Sequence, residues 1–344
     1  MRERLQFMKN HEKHTTIIDI AKILGISPST VSRALNNHPD IKVKTKEKVR
    51  RIAKELHYSP NTIAQSLKNN RTTTIGVMAP EIKHDFFSSA ISGIEDIAYH
   101  SGYTIIVCQS NEDYEREVLN ARVLMRQRVA GVIVSISQNT KNSDHFKELL
   151  RRKIPLVFFD RVCDDIEASK VVIDDYKSAF DAVSFLINKG YKKIAHFAGP
   201  QGVGVYEKRL KGYVDAIREN NIPFIDGLLL HAGLDTRDGY EAMDSLFKAH
   251  LIPDAIFTVN DPVALGACKR IKEAGLKIPN DIAAIGFSNN VITSVVDPSL
   301  TTVDQFPFEM GRKAAELLIQ TIENNLMKPK TIIMDTKLIV REST

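Results

Sequence analysis

The 344 residues exceed what one compact core holds and predict two or three domains. The net charge of +5 conceals a division: residues 1–71 carry 15 Lys/Arg against 6 Asp/Glu, and the remainder carries 32 against 36. A basic end on a mildly acidic body is the asymmetry of a nucleic-acid-binding module joined to a separate domain. No apolar run nears the ~20 residues of a membrane span, which excludes a membrane protein. Cys108, Cys163 and Cys268 are too scattered for a zinc site or a disulfide scaffold, which fits a reducing cytoplasm.

Residues 1–14 read as a loose basic tail, expected to be disordered; without an apolar stretch they are no signal peptide. Thr16–Asn36 then reads as two short helices around a tight turn. Ile17, Ile20, Ala21 and Leu24 recur at helical spacing, and Gly25 supplies the turn. Ser27 caps the second helix, and Pro28 suits its first position, where no backbone N–H is needed. Val31 and Leu35 point inward, leaving Pro28, Ser29, Ser32 and Arg33 outward, as in a helix-turn-helix presented to a DNA groove. A third helix is predicted over Thr45–Leu56, with Val49, Ile52, Ala53 and Leu56 as its inner stripe. Pro60 breaks the chain. Asn61–Lys68 is a potential helix too short to persist alone, because helix nucleation is costly. Asn69–Thr74 looks like a linker.

Beyond Thr74, Val/Ile-rich strands alternate with amphipathic helices. Predicted strands at Ile75–Ala79, Tyr103–Cys108, Val132–Ile136 and Pro155–Asp160 are separated by helices at Phe86–His100, Tyr114–Val129 and Asp144–Arg152. The alternation restarts at Val171–Ile173 and runs to Ile282–Phe287. A late helix, Glu309–Glu323, and strands within Thr331–Val340 are placed to cross back between lobes. Strands without polar alternation predict parallel sheets covered on both faces, and there are too many units for one sheet. The expected architecture is a small all-α helix-turn-helix head plus an α/β body of two doubly wound lobes. The expected divisions are a head over 15–59, a hinge and linker over 60–71, and a body over 72–344. Within the body, one lobe would take about 72–173 plus 305–334, the other about 174–304 plus 335–344. A cleft at the carboxyl ends of the strands is where such folds hold small molecules.

The chain resembles the LacI/GalR family of transcriptional regulators. The resemblance runs from Thr16 to Thr344. It is carried by DIA from Asp19, VSRALN from Val31, LHYSPN from Leu56 with Ala64 and Leu67, FDR from Phe159, VND to Asp261, IGFSN from Ile285, LTTV from Leu300 and LIVRES from Leu338. It implies a cytoplasmic homodimer on a pseudo-palindromic operator, most often a repressor, controlled by a small molecule in the interlobe cleft. It also implies no enzymatic activity and no cofactor. The implied DNA-facing residues are Thr16, Ser27, Pro28, Ser29, Thr30, Ser32, Arg33 and Asn36 in the head, and Asn61, Ala64, Leu67 and Lys68 in the hinge. Arg33 has the strongest chemistry, since a guanidinium can bond guanine O6 and N7 together. Thr30 and Ser32 suit phosphates. Leu67 takes the position of a leucine that wedges between base pairs in the minor groove.

The implied effector residues are Phe86, Phe87, Ser137, Asp160, Arg161, Arg209, Asp261 and Ser288, at or beside strand ends. Aromatics stack on a sugar or base face, while Asp and Arg together bind vicinal hydroxyls. Two arginines also admit an anionic ligand, so a sugar or phosphosugar is expected. Ser288 stands where many sugar-responsive members carry aspartate. Gln201–Val205 is unusually small and apolar, and its Gly202–Gly204 pair lacks the third glycine of a dinucleotide turn. An enzyme is disfavoured, for there is no P-loop, GxSxG elbow, HExxH or metal-ligand cluster. A transport receptor would lack use for Thr16–Lys68, and a non-specific DNA binder would show salt dependence without sequence preference.

Overall fold

The computed structural model describes residues 15–56, 58, 72–324 and 328–344. The expectations for the basic tail 1–14 and for hinge residues Asn61, Ala64, Leu67 and Lys68 lie outside the described residues. The chain divides into two compact units, Met1–Thr72 and Thr73–Thr344.

In the first unit, α1 (Ile17–Leu24), α2 (Pro28–Leu35) and α3 (Val43–Glu55) close around Ile20, Val31, Ala34, Val49 and Ile52. Thr16 opens α1, its N–H and hydroxyl both donating to Asp19 Oδ2 at 2.9 and 2.6 Å. Gly25, at φ 62°, ends it in the left-handed conformation that only glycine adopts without strain. Ser27 caps α2 by accepting the Thr30 N–H at 3.1 Å. Val31 and Leu35 both face this core as the spacing predicts, Leu35 packing against it half-buried, and Ala34 joins them fully buried.

The second unit holds two six-stranded sheets of the same winding. The first lobe runs β2 (Thr104–Gln109), β1 (Thr74–Ala79), β3 (Gly131–Val134), β4 (Leu156–Phe159), β5 (Ser169–Ile173) and β11 (Thr331–Met334), all parallel. The second runs β7 (Leu229–His231), β6 (Ile194–Ala198), β8 (Ala255–Thr258), β9 (Ala283–Phe287), β10 (Thr301–Asp304) and β12 (Lys337–Ile339). There β12 is antiparallel to β10, a departure from the all-parallel expectation. Central strands β3, β4, β6, β8 and β9 are buried throughout, whereas edge strands β2 and β11 expose alternate residues. The sequence reading missed β10. Its Thr301 and Thr302 break the apolar run, yet both are fully buried because their hydroxyls find partners in Thr344 and Asp261.

In the first lobe, α4 (Asp85–His100) and α11 (Pro307–Asn324) cover one sheet face, and α5 (Tyr114–Arg126) and α6 (Asp144–Arg151) the other. In the second, α7 (Asp175–Asn188) and α8 (Gly204–Glu219) oppose α9 (Thr236–Lys248) and α10 (Asp261–Glu273). Each fully buried Phe or Ile in these layers contributes roughly 1.5–3 kcal/mol. The described chain passes between lobes at Asp174, at Gln305–Phe306 and at Asp335–Thr336. Ser178 and Thr336 hydroxyls, 2.8 Å apart, tie the first passage to the last.

Helix pairs within a lobe meet backbone to backbone. A Cβ on Gly311 of α11 would lie 1.9 Å from the Ala90 carbonyl oxygen of α4, and one on Gly93 of α4 would lie 2.0 Å from that of Phe308. Gly311→Ala must therefore separate the helices, and urea unfolding of the full chain should show a loss of about 1–3 kcal/mol.

Candidate functional site

The outer surface of α2 carries the first candidate. Pro28, Ser29, Arg33 and Asn36 are exposed, Thr30 and Ser32 half-buried, and Ser27 and Thr16 exposed at the two helix starts. The Ser27 hydroxyl sits 2.7 Å from that of Ser29 and 2.8 Å from that of Thr30, so three hydroxyls cluster at the amino end of α2. That end also presents the positive pole of the helix, suited to a phosphate. No side-chain hydrogen bond or ion pair engages the Arg33 guanidinium among the described residues. By contrast, Lys46 and Arg50 of α3 turn back to bond Asn37.

The second candidate is a cavity of about 60 Å³ between the two lobes of the body. Its walls come from strand and helix ends: Phe86 and Phe87 at the start of α4, Asp160 and Arg161 after β4, Val205, Tyr206 and Arg209 on α8, Asn260 and Pro262 at the start of α10, Ser288 and Asn290 after β9, and Gln305 on the second passage between lobes. Phe86 and Phe87 meet edge to face, ring centres 5.2 Å apart, and Phe87 meets Phe159 in the same way.

Both cleft arginines are engaged. The Arg209 Nε and Nη2 each reach Asp175 Oδ1 at 2.8 Å, its Nη1 donates to the Val259 carbonyl at 2.8 Å, and its face lies 3.7 Å from the Phe287 ring centre. Arg161 donates to Glu112 at 2.7 Å and across the cleft to the Tyr206 hydroxyl at 2.6 Å. Four groups stay unpaired among the described residues, the Asn290 side-chain amide being one. Arg161 Nε and Gln305 Nε2 are buried donors without partners. The Asp160 side chain forms no hydrogen bond among the described residues, and its backbone is left-handed at φ 57°. Burial pushes its carboxyl up to about 6, against the pull of Arg161.

Phe86, Phe87, Asp160, Arg161, Arg209 and Ser288 thus come together as expected around one cavity, and two expected members do not line it. Asp261 is wholly buried behind the wall. Its oxygens accept from the Thr302 hydroxyl at 2.6 Å and the Asn290 N–H at 2.7 Å, bracing the turn that holds Ser288. Burial raises its carboxyl to about 6. Ser137 is also buried, its N–H donating to Glu117 at 2.7 Å and its hydroxyl accepting from the Asn139 N–H. The sequence reading missed His84, Val205, Tyr206, Leu234, Asn260, Pro262, Asn290 and Gln305. Tyr206 lies three residues before Arg209 on α8 and so shares its face, a spacing that could have found it. Among the described residues no group of three His, Cys, Asp or Glu is placed to hold a metal, and no helix is long and apolar enough to cross a membrane.

A helix-turn-helix head and a two-lobed body with its cleft at the strand ends define a DNA-binding regulator of periplasmic-binding-protein-like build. Residues 16–61 match the profile described as bacterial regulatory proteins, lacI family, and residues 183–344 that of a periplasmic binding protein-like domain. The HTH-type transcriptional repressor CytR of Escherichia coli (strain K12) is 33% identical over 98% of this chain and 98% of its own. A Lac repressor dimer bound to operator and the anti-inducer ONPF superposes with a TM-score of 0.86, at 25% identity, over 96% of this chain and 99% of its own. A complex of the transcriptional regulator CelR with cellobiose matches with a TM-score of 0.71, at 26% identity, over 96% and 100%. The chain belongs to the lacI family of bacterial regulatory proteins. It is a DNA-binding transcriptional regulator and not an enzyme.

Two stability measurements check the cleft. Arg209→Met strands a buried carboxylate and should cost on the order of 3–5 kcal/mol, with part of the loss recovered when Asp175→Asn is added. Ionised Asp160 weighs against folding above pH 6, and that cost fades as pH falls toward its ordinary 3.8. Asp160→Asn, compatible with a left-handed backbone, should stabilise by up to about 3 kcal/mol at pH 7.5 and by only about 1 kcal/mol at pH 4.5.

Proposed function

We propose that this regulator is a cytoplasmic repressor that grips a pseudo-palindromic operator as a homodimer and yields or tightens that grip when a small molecule fills the interlobe cleft. For DNA, the reading rests on Arg33, exposed and unengaged on a capped helix whose neighbours are hydroxyls. Arg33 reads a guanine edge, with Pro28 and Ser29 beside it, while Thr16, Ser27, Thr30, Ser32 and Asn36 position the head on the backbone. Asn61, Ala64, Leu67 and Lys68 form the hinge by family resemblance, with Leu67 as the minor-groove wedge. For the homodimer, the support is the likeness to relatives. The Lac repressor relative is a dimer on its operator.

The observation that carries the effector reading is the set of unpaired groups in the cleft. Gln305 Nε2 and Arg161 Nε require acceptors, and Asp160 offers acceptors. A polyhydroxy ring supplies both kinds of partner from one scaffold, and its apolar face suits Phe86 and Phe87. Asp175 and Glu112 already neutralise the two arginines, so a neutral sugar suits the cleft better than a phosphosugar. The similar transcriptional regulator CelR is complexed with cellobiose.

Selection of duplexes from a random pool by the full-length chain tests the reading. It should enrich a site with two-fold symmetry, and failure to enrich any sequence would overturn it. On the selected site, Arg33→Ala should weaken binding by about 1–3 kcal/mol in gel-shift titrations and relax the base preference at one position of each half-site.

A further inference from the structure

The cleft is bridged by its own side chains. Arg161, after β4 in the first lobe, donates through Nη2 to the Tyr206 hydroxyl of α8 in the second lobe at 2.6 Å, and both residues are buried. Each reaches this bond from a fixed base. Arg161 Nη1 donates to one Glu112 oxygen at 2.7 Å, while the other Glu112 oxygen accepts the Gln138 N–H at 2.7 Å. On the opposite side Tyr206 lies against Arg209, whose guanidinium carbon is 5.9 Å from its ring centre and which Asp175 holds in place. The Arg161 guanidinium also lies near two rings, 5.6 Å from the centre of Phe87 in its own lobe and 5.4 Å from that of Tyr206. A hydrogen bond from a cation, shielded from water and beside aromatic faces, is stronger than one between neutral groups at a surface. A second bridge crosses the rim: Lys83, between β1 and α4, lies 3.7 Å from Asp235 at the start of α9 and 3.1 Å from Glu81. Lys83 and Asp235 are exposed, so that pair is screened and weak. About 60 Å³ remains between the lobes. At about 10–15 Å³ per water, that is room for a few waters. Pockets for ring-sized ligands run to roughly 300–1,000 Å³.

We infer that Tyr206 is a built-in clasp: its bond to Arg161 holds the two lobes shut over the cleft without help from a guest, and a ring-sized guest enters only after Arg161 has let go of Tyr206. The guest therefore competes with a residue of the protein for the guanidinium. The inference rests on the interlobe cleft as the effector site and on nothing about the effector's chemistry.

Hydrogen–deuterium exchange of the full-length chain, with no small molecule added, tests the clasp, because exchange reports local opening. Tyr206→Phe keeps the ring and removes only the accepting hydroxyl. Exchange in the cleft-facing segments 84–90, 160–163 and 203–209 should rise about fivefold or more, while β6, β8 and β9 stay within about twofold. Arg161→Lys keeps a charge beside Glu112 but loses the second donor arm, and it should give the same pattern. Lys83→Met at the rim should change the same segments by less than about twofold. Cleft segments that exchange as before in both Tyr206→Phe and Arg161→Lys would overturn the clasp. A rise shared equally by the sheet strands would overturn it too, since that marks a general loss of stability. A rise after Lys83→Met as large as after Tyr206→Phe would move the closure to the rim and overturn the role of Tyr206. No ligand enters the measurement, so each of these failures leaves the effector reading standing.

Discussion

One buried guanidinium organises the cleft. Arg209 binds the carboxylate of Asp175, the first residue of the helix that follows the passage from one lobe to the other, and also the carbonyl of Val259 and the ring of Phe287. It therefore fixes a helix start, a strand end and a neighbouring strand end in one place. Desolvating two charges is costly, and a buried pair of this kind is weak evidence for stability. Its value lies in position. With Arg209 and Asp175 locked together, the α8 face carrying Tyr206 is aimed at the opposite lobe, where Arg161 meets it.

The same principle of satisfied burial runs through the second lobe. Thr301, Thr302 and Asp261 sit in its interior, each with a defined partner, and they hold the turn from Ser288 to Asn290 against the cleft. That turn uses left-handed backbone at Asn289 and positive φ at Ser288, geometry that the bonds around it maintain. A polar framework of this sort places cleft groups more narrowly than apolar packing alone, because each bond fixes a direction as well as a distance.

Much of this was legible in the residues. The head is written in local signals: a glycine at a left-handed turn, a serine cap followed by proline, and apolar residues at helical spacing. None of these depends on distant contacts; the structure adds Ala34 to the inner face of α2 and starts α3 at Val43 rather than Thr45. The paired lobes followed from the alternation of buried strands and amphipathic helices. The cleft was legible to the level of strand ends. What failed was the facing of individual side chains. Asp160 and Asp261 both follow strands, but one turns into the cavity and the other is drawn back by Thr302 and Asn290 from a distant segment. Gln305 carried no local signal at all, because its place depends on where the chain returns to the first lobe. Tyr206 was hidden by the small apolar residues before it.

The close helix contacts have a mechanical corollary. Carbonyl oxygens seated where a methyl would collide, at Gly93 and Gly311 in one lobe and at Gly239 and Gly266 in the other, leave neither half any slack to absorb strain. Any change in the angle between the halves must therefore be taken up mainly in the torsions of the connecting segments. One connector bears Gln305, which lines the cleft. The pivot and the cleft wall thus share a residue, so a change at either is a change at both.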